Sequence, residues 1–122
     1  MTIAIDPINN SKVYVGSYHD GILEFEDFEL KKIYNDENSS LGKLIGYDYV
    51  YVTGMDFDSR NNLWVANSGT EKMLSVKTTK GEWYSFNISS GNTSHVMVDH
   101  NDYKWILHRD GSLIVYNDNN TI

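Results

Sequence analysis

The chain has 122 residues, 40% of them hydrophobic and 13% aromatic, with a net charge of −7 and no cysteine. This is one domain's worth of sequence with enough apolar material for a core, and no apolar run is long enough to span a bilayer. The acidic balance argues against nucleic acid, whose binding needs clustered Lys and Arg; the missing cysteines exclude disulfides, thiolate catalysis and cysteine-held metals.

In chain order, residues 3–35 read as a first unit of short strands. Ile3 and Ile5 alternate, Asp6-Pro7-Ile8-Asn9-Asn10 turns, and Val13-Tyr14-Val15-Gly16 forms a second strand. The only proline lies in that turn, where its missing donor costs nothing. Ile22-Leu23-Glu24-Phe25 and residues 30–34 follow as third and fourth strands. Residues 36–48 form a polar, Ser/Asn/Gly-rich insertion longer than an ordinary connection.

Residues 49–87 make the second unit, entered by an alternating run over 49–53. Its apolar runs are 55–58, Leu63-Trp64-Val65-Ala66, 73–77 and 83–86, separated by Asp58-Ser59-Arg60-Asn61-Asn62, Ser68-Gly69-Thr70-Glu71 and Lys80-Gly81. β-branched and aromatic runs closed by such turns predict four antiparallel strands, the size of one propeller blade. A third unit over 95–122 has only three such runs and ends on the turn Asn117-Asp118-Asn119-Asn120.

The units repeat. Asp58 precedes Trp64 by six positions, as Asp99 precedes Trp105, and both pairs recur at a distance of 41 residues. Asp6 lies eight before Tyr14, the same turn lengthened by two. The second strands are apolar at successive positions, as expected of sheets covered on both faces. The expectation is an all-β fold: four-stranded antiparallel blades of a partial β-propeller, about three present. Its outer faces need cover, from remaining blades of a longer propeller or from another copy of the chain.

Asp58, Asn62, Leu63, Trp64 and Val65 match the D-x-x-G-N-L-W-V-G-T unit of two-component-regulator propeller repeats. Asn61 stands in place of the glycine and Ala66-Asn67 in place of Gly-Thr, while Val15-Gly16-Ser17 keeps the small residue. The chain resembles that propeller family. The closing stretch DHNDYKWILHRDGSLIVYNDNNTI, with LWVANS, is similar to PorZ-type propeller proteins of the Bacteroidota type IX secretion system. The resemblance implies a non-catalytic, extracytoplasmic module at the cell surface, outer membrane or periplasm. Such modules contact protein partners, lipopolysaccharide or glycan in the complex that attaches secreted cargo. The broader family leaves an alternative: the periplasmic sensing propeller of a hybrid two-component kinase, binding a glycan fragment.

Reactive chemistry is sparse in the sequence. His19, His95, His100 and His108 do not pair at metal-ligand spacing, and no calcium loop is complete, so neither a metal nor a cofactor is expected. Recurrence of aspartate at the Asp58 position favours turn capping over acid–base work by Asp56 and Asp58; a lyase or glycosidase is the third reading. In an antiparallel meander, the loops after the second strands and the connections between blades emerge on one side. That side gathers Tyr18, His19 and Asp20; Asn67, Ser68 and Thr70; His108, Arg109 and Asp110; and the insertion with Tyr47. These are the candidate binding residues, suited to sugars or an extended peptide.

Overall fold

The computed structural model describes residues 1–88 and 91–122. They contain no helix and form eleven strands: β1 (Thr2–Ile5), β2 (Lys12–Gly16), β3 (Ile22–Glu26), β4 (Glu29–Tyr34), β5 (Val52–Phe57), β6 (Leu63–Asn67), β7 (Leu74–Lys77), β8 (Trp83–Phe86), β9 (Thr93–Val98), β10 (Lys104–His108) and β11 (Leu113–Tyr116). Three antiparallel meanders result, β1-β2-β3-β4, β5-β6-β7-β8 and the three-stranded β9-β10-β11. The fold is all-β, an arc of a β-propeller.

The turn after each first strand is built on the recurring aspartate. Asp58 Oδ1 accepts the N–H groups of Arg60 and Asn62, both at 2.9 Å, while Oδ2 accepts Asn62 Nδ2 at 3.0 Å and Trp64 Nε1 at 2.9 Å. Asp99 repeats the scheme, taking Asn101 N–H, Tyr103 N–H and, at 2.9 Å, Trp105 Nε1. Six residues therefore separate aspartate from tryptophan because one carboxylate must cap the turn and reach the indole of the returning strand. In the first sheet Tyr14 has no ring N–H, and Asp6 Oδ1 instead accepts Asn61 Nδ2 of the second sheet at 3.2 Å. Asn61 and Asp102 hold the same turn position with φ of 66° and 63°. This is the left-handed region, which Asn and Asp tolerate best after glycine, so Asn61 can stand where the family pattern has glycine.

The sheets stack in one direction. Tyr14, Trp64 and Trp105 define an anchor face on each sheet, and the residues flanking them define the opposite face. The anchor face of the first sheet packs on the second sheet's opposite face, with Tyr14, Ile22 and Tyr34 against Leu63 and Val65 and Tyr14 edge-on to Phe57 at 5.9 Å. Trp64 then carries the second sheet's anchor face onto the third, with its ring centroid 6.1 Å from Tyr116 and the Lys104 ammonium 4.3 Å away. All five residues of β6 are buried, as expected of a strand covered on both sides. At the inner edge the strands approach closely: a Cβ on Gly54 would lie 2.5 Å from the backbone nitrogen of Val96.

Among the described residues, the polar side-chain atoms buried at these joints have hydrogen-bond partners, except Asn61 Oδ1. Burial and the Glu24 carboxylate push the Tyr14 and Tyr34 phenols up, and Tyr34 donates to Glu24 at 2.8 Å. Lys104, fully buried, holds Asp118 at 2.6 Å. Burial works to raise the Asp118 carboxyl, but the Lys104 hydrogen bond and charge outweigh it and leave it below the usual range.

One expectation is corrected here: the run over 49–53 is not continuous strand, since β5 starts at Val52. Val50 instead makes an isolated parallel bridge to Asp20 of the first sheet's loop. Tyr14 and Trp64 are buried against the following sheet, whereas Trp105 lies on a face with no following sheet.

Two outcomes follow from these contacts. Asp58→Ala strands buried donors and should cost about 3 kcal/mol by denaturant unfolding; Asp99→Ala should cost distinctly less, because its cluster stands in water. For the buried pair, a folded-state pKa below the unfolded one makes the stabilisation complete above the ordinary carboxylate range and lost as pH falls through the folded value. Thermal stability should therefore hold between about pH 7 and 5 and fall below about pH 4. Asp118→Asn should cost about 3–5 kcal/mol at neutral pH and flatten that acid-side decline.

Candidate functional site

The loop after β2, the insertion, the β6–β7 loop and the β10–β11 loop lie at one end of the arc. Tyr18 and Tyr51 stack at 4.8 Å between ring centroids, and the Arg109 guanidinium lies 5.3 Å over the Tyr51 ring while donating to its hydroxyl. Three sheets thus meet in one row of side chains. Burial and the Tyr18 hydroxyl raise the Tyr51 phenol, against the pull of Arg109. A second row stacks His19 on Tyr49 at 4.3 Å, with Tyr47 leaning on Tyr49 at 5.4 Å.

The insertion is tied down rather than draped. Leu41 is buried in the core, Gly42 N–H donates to Asn67 Oδ1 at 2.7 Å, and Ile45 N–H donates to Gly69 O at 3.0 Å. Ser40 donates to Tyr84 O at 3.0 Å. Its start over 36–38, Lys43 and its tip over 45–48 are exposed, with Ile45 at 73% and Tyr47 at 60%. A hollow of about 640 Å³ lies on one flank, lined by Leu44, Ile45, Tyr47, Thr70 and Asn92. On the other, about 310 Å³ is lined by His19, Asp20, Asp36, Lys43, Asp48 and Tyr49. Lys43 bridges Asp48 at 2.7 Å and Asp36 at 3.8 Å across this second hollow.

The candidate residues divide into two groups. Tyr18, His19, Asp20, Tyr47 and Arg109 reach the rows or hollows, and Asp110 stands beside them in water, capping Ser112. Asn67 and Ser68 are fully buried and Thr70 nearly so, and they hold the end together. Asn67 Nδ2 donates to Tyr51 O at 3.0 Å, Ser68 Oγ accepts Thr93 N–H, and Thr70 donates to Asn67 O. His108, the sequence neighbour of Arg109, is buried and engaged within the protein. Tyr49 and Tyr51 were not among the candidates. Their signal is the alternation Tyr47-Asp48-Tyr49-Val50-Tyr51, which puts an aromatic residue at every second position of the run leading into β5.

Ring faces, one guanidinium and amide-rich loops can stack on and hydrogen-bond to a sugar or a peptide. Among the described residues no group of three His, Asp or Glu side chains is placed to hold a metal ion. The turn carboxylates Asp58 and Asp99 are occupied by N–H donors, and Asp56 accepts Val98 N–H at 2.8 Å.

No family model matches the chain, and no curated protein does. Among solved structures it is similar to PorZ, named as an essential bacterial surface component of the type-IX secretion system of Porphyromonas gingivalis, with a TM-score of 0.82 and 23% identity over 98% of this chain. The chain has the fold of that part of PorZ. It spans 17% of the PorZ chain. The extracellular domain of a hybrid two component system from B. thetaiotaomicron matches at a TM-score of 0.48 and 18% identity, over 96% of this chain and 21% of that one. No helix among the described residues is long and apolar enough to cross a membrane.

The clamp on the insertion is testable at Gly69, whose φ is 74° and whose added Cβ would fall 1.9 Å from Leu44 Cδ1. Gly69→Ala should displace the insertion at a cost of about 1–3 kcal/mol. Limited trypsinolysis should then cut after Lys43 several-fold faster than in the unaltered protein.

Proposed function

We propose that this chain is a non-catalytic recognition module of a cell-surface, extracytoplasmic assembly, acting in type IX secretion through contacts with protein partners and lipopolysaccharide. The observation that carries the reading is the fold match to PorZ over 98% of the chain. The end bearing Tyr18, Tyr51 and Arg109 is the surface through which it works. With a net charge of −7, the protein repels an anionic ligand overall. Arg109 therefore bears the local attraction, while salt screens both this attraction and the longer-range repulsion.

A second reading, a sensing propeller that takes a glycan fragment, draws on the exposed rings of Tyr18 and Tyr47, 57% and 60% accessible. Flat exposed ring faces suit a sugar, whereas a peptide would also call on backbone hydrogen bonds.

The test is surface-plasmon binding of purified lipopolysaccharide, of its released glycan, and of solubilised outer-membrane proteins to the immobilised chain. Retention of outer-membrane proteins with lipopolysaccharide supports the first reading; retention of the glycan alone transfers support to the second. Arg109→Ala and Tyr18→Ala should each weaken binding about tenfold, the worth of one desolvated cation or ring contact, without moving the melting temperature by more than a degree or two. Binding that ignores both variants would remove this end from the mechanism.

A further inference from the structure

The hollow of about 640 Å³ beside the insertion differs in kind from the row that holds Arg109. Its size lies within the roughly 300–1,000 Å³ of sites for small ligands. One wall is the insertion; a second is the β6–β7 loop; the third is the connection between the second and third sheets, at Asn87 and Asn92. None of the lining residues belongs to a strand, so the hollow is no part of either uncovered sheet face. Gly69 lies where the walls converge. A Cβ there would stand 1.9 Å from Leu44 Cδ1 and 3.6 Å from Asn92 Oδ1, so insertion and connection meet over a residue without a side chain.

The main chain of these walls is largely occupied. Leu44 N–H donates to Tyr49 O at 2.9 Å, Ile45 N–H to Gly69 O at 3.0 Å, Tyr47 N–H to Leu44 O at 2.9 Å and Gly69 N–H to Gly91 O at 3.4 Å. A peptide added as a strand needs a free edge in strand conformation, which these turns do not offer. The free hydrogen-bonding groups are side chains. Glu71, Asn87 and Asn92 are exposed, and among the described residues their side chains have no hydrogen-bond partner. Each amide presents both donors and an acceptor, and the carboxylate accepts. Ile45 and Tyr47, 73% and 60% exposed, add an apolar wall with a ring face. Among the described residues no Lys, Arg or His lines the hollow, and its one charge is Glu71.

We propose that this hollow is a subsite for the uncharged sugar rings of a glycan, separate from the Arg109 row. Sugar hydroxyls both donate and accept, which matches two amides and a carboxylate, and the C–H face of a pyranose rests on the apolar wall. A phosphate or uronate meets the like charge of Glu71 there and no cation, so the hollow selects against it. The inference rests on the reading that the chain recognises a glycan, and it gives the uncharged part of that ligand a place of its own. The two sites adjoin at Asn92, whose carbonyl accepts Arg109 N–H at 2.9 Å while its Oδ1 faces Gly69. Charged and uncharged parts of one ligand are thereby sorted between neighbouring sites.

The test is an NMR titration of the isotope-labelled chain with maltotriose, galactotriose and mannotriose, and with trigalacturonate as the acidic counterpart of galactotriose. At least one neutral trimer should bind with a Kd of about 1 mM or tighter and move the side-chain amide signals of Asn87 and Asn92. Trigalacturonate should bind at least about fivefold more weakly than galactotriose, and Glu71→Lys should reverse that order. Affinity for the neutral trimer should not change between about 50 and 500 mM salt, unlike a contact to Arg109. Asn87→Ala and Tyr47→Ala, both at exposed positions, should each weaken neutral-trimer binding about fivefold, the worth of one hydrogen bond or ring contact, with the backbone spectrum otherwise unchanged. A neutral trimer that binds without moving either amide signal, and is indifferent to both variants, would overturn this subsite and leave glycan recognition standing. So would lipopolysaccharide binding with no neutral trimer bound. A chain that retains no glycan of any kind would overturn the subsite and the glycan reading together.

Discussion

A β-sheet that is apolar on both faces can be dry only between two neighbours, and this constraint shapes the whole chain. In the second sheet it is met: Leu63 and Val65 look back to the first sheet while Trp64 and Ala66 look forward to the third, and all four are buried. Burying large aliphatic and aromatic side chains contributes about 1.5–3 kcal/mol each, so the stacked joints outweigh any single turn or hydrogen bond. Direction is built in as well. Tyr14 and Trp64 each point to the following sheet, because the pairing register places both on the same face.

The turns make that register reproducible. A carboxylate that accepts two backbone N–H groups and an indole fixes both where the chain reverses and which way the returning strand faces. A one-residue slip would exchange the two faces of the sheet and put Trp64 where Leu63 belongs. The recurring aspartates Asp6, Asp58 and Asp99 are therefore structural acceptors at these turns. Their lone pairs point at N–H donors of the same turn, which leaves them poorly placed for acid–base work.

The strand pattern could be read from residue types because it depends on local chemistry. Asp58 six before Trp64, small turn residues and β-branched runs each act over a few positions. The burial of Lys104 could not be read that way. A lysine before Trp105 looks like a solvated residue until Asp118, fourteen positions on, is brought to it by the turn after β11. Asn67, Ser68 and Thr70 were placed at the right end of the arc, but as loop residues of a type that usually faces water. Their burial depends on the insertion folding back over them, a long-range event that composition does not encode. Tyr49 and Tyr51 went the opposite way. Their alternation reads as strand, yet the parallel bridge of Val50 to Asp20 ties the segment to the first sheet's loop and turns its rings to the open end.

Stacking and the proposed recognition surface are consequently linked. Tyr18 comes from the first sheet, Tyr51 from the segment leading into the second, and Arg109 from the third, so their spacing is set by the two joints between sheets rather than by any one loop. Arg109 N–H donates to Asn92 O and its guanidinium reaches Tyr51, while Tyr51 O accepts both Asn67 Nδ2 and Ser68 N–H. A ligand spanning the row would touch all three sheets at once and would favour the arrangement in which both joints are closed. Loosening either joint would widen the row and cost affinity although no contacting residue had changed. In a module of this build, the core that holds the sheets together also sets the geometry of the proposed recognition surface.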